Sequence, residues 1–211
     1  MTARRRMDLI KEETRGLILE AAEGEFARWG FQSARLSDIA DIVGITRTSV
    51  LYHFKDKPSL YQAVLERTFK ALSDRVIERL DATDDYVEQI EGMIDAWIEC
   101  SAARPTLARL FMREVADAED GFRTEVEELV APLFSRVIQC VESGSRSGAF
   151  RSLDPVHLVT ILAGATTWYA TSGNLFRTRT SGGLSEEERF KAYRDELIGV
   201  TRYLLGTLEA P

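Results

Sequence analysis

The chain has 211 residues, 45% of them hydrophobic, with a formal net charge of −7. That length admits one large helical unit or a small unit joined to a larger one. No apolar run approaches the ~18 residues that cross a bilayer, and the two histidines and two isolated cysteines are too few and too scattered for a His/Cys metal site.

The basic opening MTARRRMD is not followed by an apolar stretch, so no signal peptide is expected and the chain reads as soluble and cytoplasmic. Arg4, Arg5, Arg6 and Lys11 form either a solvated terminus or a basic arm that neutralises phosphate. Glu13 to Trp29 is predicted helical, with Leu17, Ala21, Ala22, Phe26 and Trp29 buried and Gly30 as its cap. In LSDIADIVGI, Leu36, Ile39, Ala40 and Val43 recur at i, i+3, i+4 and i+7, one apolar stripe of a short helix. Ser37 is suited to cap its start, and Gly44 ends it through a left-handed turn. Ile45 returns to the core, and a second short helix begins near Thr46 with Val50 packed inward. The result is helix, glycine turn, helix, with Thr46, Arg47, Thr48 and Ser49 left at the surface. Those residue types hydrogen-bond base edges and phosphates.

Pro58 then opens a longer helix to about Leu80, with Leu60, Val64, Leu65, Leu72 and Val76 apolar. ATDD breaks the pattern at 82–85, and helices follow over Val87 to Ala103 and Pro105 to Ala116. Phe122 to Ser143 has a long three-and-four period, with a bend expected at Pro132 and an end at Gly144 and Gly148 before Phe150. Asp154 and Pro155 open a helix to about Thr171, and a mobile loop is expected around Gly173 to Gly183. Ser185 with Glu188 forms a capping box that starts the last helix, to about Leu208. No segment reads as a strand hairpin, so the fold class is all-α with about nine helices.

Within this frame Phe26, Gly30 and Phe31, then Ala40, Gly44 and Ile45, then Leu51, Tyr52, His53, Phe54, Lys55, Lys57 and Leu60 form a set. It spans roughly Leu17 to Leu65 and resembles the tetracycline-repressor (TetR) family of transcription regulators. The resemblance implies a helix-turn-helix DNA-binding domain at 1–57, a connecting helix at 58–80, and a ligand-binding and dimerisation domain at 81–211. It implies that the second short helix enters the major groove. Arg47 is then the best base contact, since a guanidinium grips guanine O6 and N7 together, and Thr46, Thr48 and Ser49 read bases or backbone. Ser37, Tyr52, His53 and Lys57 would hold phosphates, while Phe54 is core. The charge division suits this: residues 1–80 carry 14 basic against 12 acidic side chains, and residues 81–211 carry 13 against 22.

The body is where such regulators bind small inducers, and Trp97, Cys100, Phe111, Met112, Arg113, Trp168 and Tyr169 are candidate lining residues. In the last helix Phe190, Tyr193, Leu197, Val200 and Leu204 are spaced as a packing seam, with Ala163, Gly164 and Ala165 small enough for close approach in the helix before it. A homodimer is expected, because twin recognition helices must meet half-sites of a palindromic operator about 34–36 Å apart. No catalytic constellation, cofactor motif or metal-ligand spacing is present in the sequence. The predicted function is therefore not enzymatic: a transcriptional regulator, a repressor released from its operator by an unidentified small-molecule inducer. The alternatives are a DNA-binding architectural or partner-controlled protein, and a small all-helical enzyme or carrier.

Overall fold

The computed structural model describes residues 3–117, 124–180 and 183–207, with side chains for 5–116, 126–172 and 183–207. The expected helix start at Phe122, the end near Leu208 and the side chain of Arg4 lie outside the described residues. Among the described residues there are nine helices and no strand: α1 Ala3–Ser33, α2 Leu36–Val43, α3 Arg47–His53, α4 Lys57–Leu80, α5 Tyr86–Ala103, α6 Pro105–Asp117, α7 Thr124–Ser147, α8 Pro155–Thr180 and α9 Glu186–Leu205.

α1 starts ten residues before the predicted Glu13 and is interrupted at Gly30, whose φ of 75° and ψ of 170° kink the chain before one more turn to Ser33. Its buried face is Ile18, Leu19, Ala22, Phe26 and Ala27, whereas Leu17 and Trp29 are half exposed. The correction has a packing cause. α1 is covered on one side by α2 and α4 and on another by α6, so the buried arc is wide and centred opposite Leu17.

α4 runs from the small N-terminal head into the body and packs lengthwise on α5 and α7. Asp56 caps it, its carboxylate accepting from the Ser59 amide at 2.8 Å. Leu60, Val64, Leu65, Leu72 and Val76 are buried as predicted. Helix α7 continues unbroken through Pro132 and through Gly144, ending only before Gly148 at φ 81°. Gly144 does not terminate it because the residue serves packing instead: a Cβ there would lie 2.3 Å from the ring of buried Phe150. α8 likewise runs to Thr180, where a loop from Gly173 was expected. The capping box at Ser185 and Glu188 is present, and Gly206 closes α9 in the left-handed region.

The predicted α9 seam divides between two sides. Leu197, Ile198, Thr201 and Leu205 are buried against the protomer itself, held on α5 by Arg194–Asp95 at 2.5 Å and Arg202–Glu91 at 2.5 Å. Val200 and Tyr203 face outward. At about 100° per residue the predicted stripe falls on the edge of the buried face, not its middle.

Candidate nucleic-acid interface and effector cleft

Helix α2 buries Leu36, Ile39 and Ala40 and stops at Gly44, whose φ of 76° and ψ of 32° are left-handed. The Ile45 amide closes the turn on the Ala40 carbonyl at 3.0 Å. Thr46 is the N-cap of α3, not a free surface reader: its Oγ1 accepts from the Ser49 amide at 3.1 Å and lies 2.9 Å from Ser49 Oγ. Thr46 and Ser49 thereby fix the first turn of a helix that has only Val50 fully buried. Arg47 and Thr48, between them, are exposed.

Ser37 does not cap α2. It sits within the helix, exposed, and donates to Asp38 Oδ1 at 3.0 Å, while the N-cap is Arg35 with no side-chain cap. The Asp38 amide bonds the Arg35 carbonyl at 3.2 Å, which leaves the Leu36 and Ser37 amides at the helix start, where anions bind. Tyr52 is 72% exposed, and the Lys11 ammonium stands 5.1 Å over its ring. His53 is half-buried; burial, then Lys11 and Arg15, lower its pKa below 6.5, so it is neutral at neutral pH. Lys57, expected on a phosphate, turns inward. It donates to the Gln32 carbonyl at 3.1 Å and lies 4.8 Å over the Phe31 ring. Phe54 is core, as predicted.

The head is tied to the body by α6 as well as by α4. Arg113 donates through Nε to the Ala27 carbonyl at 3.1 Å and through Nη2 to the Arg28 carbonyl at 2.8 Å. Glu23, buried in α1, accepts from the Thr106 hydroxyl and lies 3.8 Å from the Arg104 guanidinium. On α4, Tyr61 donates to Glu114, which is fully buried. Sequence reasoning missed Glu23, Thr106 and Tyr61. The available signal was the placement of Glu23 four residues after Leu19 and three before Phe26, on the apolar face of α1, since a buried charge requires a partner.

The predicted inducer residues are not brought together. Trp97 is buried and Phe111 half-buried, their rings 6.0 Å apart. Cys100 is half-buried, and burial pushes its thiol up. Met112 at 41% and Trp168 at 57% are exposed, and Arg113 is occupied by α1. Tyr169 stacks on Tyr193 at 3.8 Å and donates to the Arg189 carbonyl at 3.0 Å. Burial also pushes Tyr193 up to about 12, against a hydrogen bond with Thr166. The body does contain a narrow apolar cleft between α5, α7 and α8, walled by Ile94, Trp97, Leu133, Phe134, Ala163 and Thr166. Its free volume of about 10 Å³ is that of a single water.

Residues 18–64 match the family described as bacterial regulatory proteins, tetR family, and residues 87–200 match the tetracyclin repressor-like C-terminal domain. The chain belongs to the tetR family. It is a DNA-binding transcriptional regulator. The HTH-type transcriptional regulator RutR of Escherichia coli strain K12 is 28% identical over 176 residues, 82% of this chain and 81% of RutR. Two solved structures share the fold. AibR in complex with isovaleryl coenzyme A and operator DNA has a TM-score of 0.68 at 15% identity, over 89% of this chain and 97% of that one. FadR from Bacillus subtilis in complex with stearoyl-CoA has a TM-score of 0.70 at 16% identity, over 92% and 98%.

The outer surface of this tetR regulator carries an apolar face on its last two helices. Val156, Ile161 and Trp168 of α8 and Val200 and Tyr203 of α9 are exposed, and Gly164 beside them has nothing within 4 Å of a would-be Cβ. Phe190, Tyr193 and Leu204 are half-buried within the protomer. Among the described residues no cluster of metal ligands is found and no helix is long and apolar enough to cross a membrane.

Proposed function

We propose that this regulator is a homodimeric repressor that binds a palindromic operator through α3 and is released by a small molecule bound in the body. Its head spans 1–57, α4 connects at 58–80, and the body spans 81–211. Arg47 reads bases, with Thr48 and Ser49 beside it, and Thr46 holds the helix in shape for them. Ser37, the open amides of α2, Tyr52 and neutral His53 take phosphates, and Lys57 fixes the head surface by its bond to Gln32. The exposed face of α8 and α9, with Val200 and Gly164 in it, pairs with its copy. Large exposed apolar patches mark such association surfaces.

The observation that carries the release mechanism is the position of α6. Its Phe111 meets the cleft residue Trp97, and two positions on, Arg113 grips the carbonyls at the end of α1. A molecule that parts the cleft walls must move α6, and α6 cannot move without α1. AibR in complex with isovaleryl coenzyme A and operator DNA, and FadR in complex with stearoyl-CoA, support a body that takes a ligand. By linkage, effector and operator each weaken the other by one factor, typically 1–3 kcal/mol of coupling.

The test has two parts. An operator is selected from random duplexes by the purified protein, and its affinity is measured by fluorescence anisotropy against salt. A library of small metabolites is then screened for thermal stabilisation and for loss of anisotropy. A selected palindrome whose complex is dissociated by a stabilising compound is the expected result. Selection of no sequence above random DNA, or compounds that stabilise without altering operator affinity, would overturn the corresponding half of the reading.

A further inference from the structure

Three buried hydroxyls, one on the connecting helix and two in the body, have no hydrogen-bond partner within the protein: Thr68 on α4, Ser101 on α5 and Thr167 on α8. Each is only 1% exposed. Buried polar groups are nearly always paired, and an unmade bond at such a group carries a full desolvation penalty. The two in the body call for a common explanation.

Their positions supply it. Ser101 follows Trp97 by four residues and Thr167 follows Ala163 by four, and both Trp97 and Ala163 wall the apolar cleft. Residues four apart lie one above the other on the same helix face. Both hydroxyls therefore continue the cleft lining by one turn. They continue it toward the same end. α5 leads into Thr106, which bonds Glu23 of the head, and on α8 Thr171 borders a recess with Ala27, Arg28 and Arg113. Thr68 lies at a similar level on α4, which does not itself line the cleft. The next residue, Phe69, meets Phe111 at 6.1 Å, and Phe111 meets Trp97 at 6.0 Å. The cleft is lined by apolar residues and Thr166, and the register of α5 and α8 carries its walls on to Ser101 and Thr167 at the head-facing end.

No charged side chain is among the residues lining the cleft, and the buried carboxylate of α6, Glu114, already accepts from Tyr61. A carboxylate or phosphate placed inside would lose its hydration without gaining an ion pair. A pure hydrocarbon would leave the hydroxyls unpaired.

We infer that the effector is a small, uncharged, largely hydrocarbon molecule with one or two carbonyl or hydroxyl oxygens. It lies with its apolar part against Trp97 and Leu133 and its oxygen end beside Ser101 and Thr167. This rests on the body being an effector domain and adds the class of ligand. The cleft has room for a single water when empty, so the ligand enters by parting the walls at half-buried Phe134 and Val159. The oxygen end lies nearest α6, where displacement reaches Arg113 and the head.

Isothermal titration with three compounds of one shape tests this: 2-naphthol, naphthalene and 2-naphthoate. The protein should bind 2-naphthol about tenfold tighter than naphthalene, the value of one well-made hydrogen bond, and should not take up 2-naphthoate. In Ser101→Ala/Thr167→Val the naphthol advantage should vanish while naphthalene affinity is unchanged. The same variant should melt higher without ligand, because orphaned hydroxyls have been removed; this also shows that it folds. Equal binding of naphthol and naphthalene by the native chain, preference for 2-naphthoate, or binding of none of the three overturns the assignment. The effector-domain reading fails separately: it stands if a charged compound still releases operator DNA, and falls if no screened compound changes operator affinity.

Discussion

Replacing Arg113 by Met keeps the aliphatic stem and deletes the guanidinium that joins α6 to α1. Two bonds are lost, from an ionised donor to the Ala27 and Arg28 carbonyls at 3.1 and 2.8 Å. A hydrogen bond from a charged group contributes about 1.5–3 kcal/mol when shielded. Arg113 is only half-buried, and water can take over part of the pairing, so about 1–3 kcal/mol in total is the reasoned loss. That cost falls on the docking of the head and not on the core, since no apolar contact is removed. In hydrogen-exchange mass spectrometry, peptides covering the end of α1, near residues 26–33, should exchange about 5–150-fold faster. Peptides of α4 and α5 in the body should keep their protection. Operator release by an effector should weaken in proportion, because the lever between cleft and head is slack. Unchanged protection at the end of α1, or loss of protection spread evenly over the chain, would refute the view that α6 holds the head.

Gly144→Ala should lower stability by about 1–3 kcal/mol, the usual penalty for overpacking, because its Cβ would meet the buried Phe150 ring at 2.3 Å. The melting temperature should fall about 2–4 °C per kcal/mol in a domain of this size. Gly164→Leu should leave each protomer folded, having open space around it, yet shift sedimentation from dimer to monomer; a dimer of unchanged affinity would remove α8 from the interface. His53 titrates below 6.5 when folded, so the unfolded chain takes up its proton first as pH falls. The stability it costs is absent above 6.5 and grows as pH drops from there toward the lowered value. His53→Gln should flatten that part of a melting curve series between about pH 7.5 and pH 5, and identical slopes would show that His53 is solvated like a free histidine.

The helix-turn-helix was legible because backbone chemistry fixes it locally. Gly44 alone takes the left-handed cap cheaply, and Ser185 caps α9 through a bond three residues long, whereas the caps at Thr46 and Asp56 emerged only in the structure. Ser37 misled because α2 already begins at Leu36, with Arg35 as its N-cap. The errors elsewhere share one cause: periodicity names an apolar face without naming the neighbour that covers it. Leu17 and Trp29 lost burial because α1 is gripped from two sides. Val200 and Leu197 parted because the α9 stripe lies on an edge. Gly144 and Gly173 looked like helix ends, but α7 and α8 pass through both, and at Gly144 the missing side chain makes room for Phe150. The candidate effector site was legible only in Trp97. Its other walls are ordinary apolar residues of α7 and α8, and its hydroxyls became notable only once they were seen buried without partners.

The most direct test of the central claim compares Arg47→Ala with the native protein on the selected operator and on random duplex of equal length. Arg47 is exposed and sits just after the Thr46 cap, so its loss should leave the melting temperature unchanged. Affinity for the operator should fall by about 1–3 kcal/mol, the value of one bidentate base contact, while affinity for random DNA changes little. Equal losses on both duplexes would make Arg47 a phosphate contact, and no loss on either would show that α3 does not read DNA.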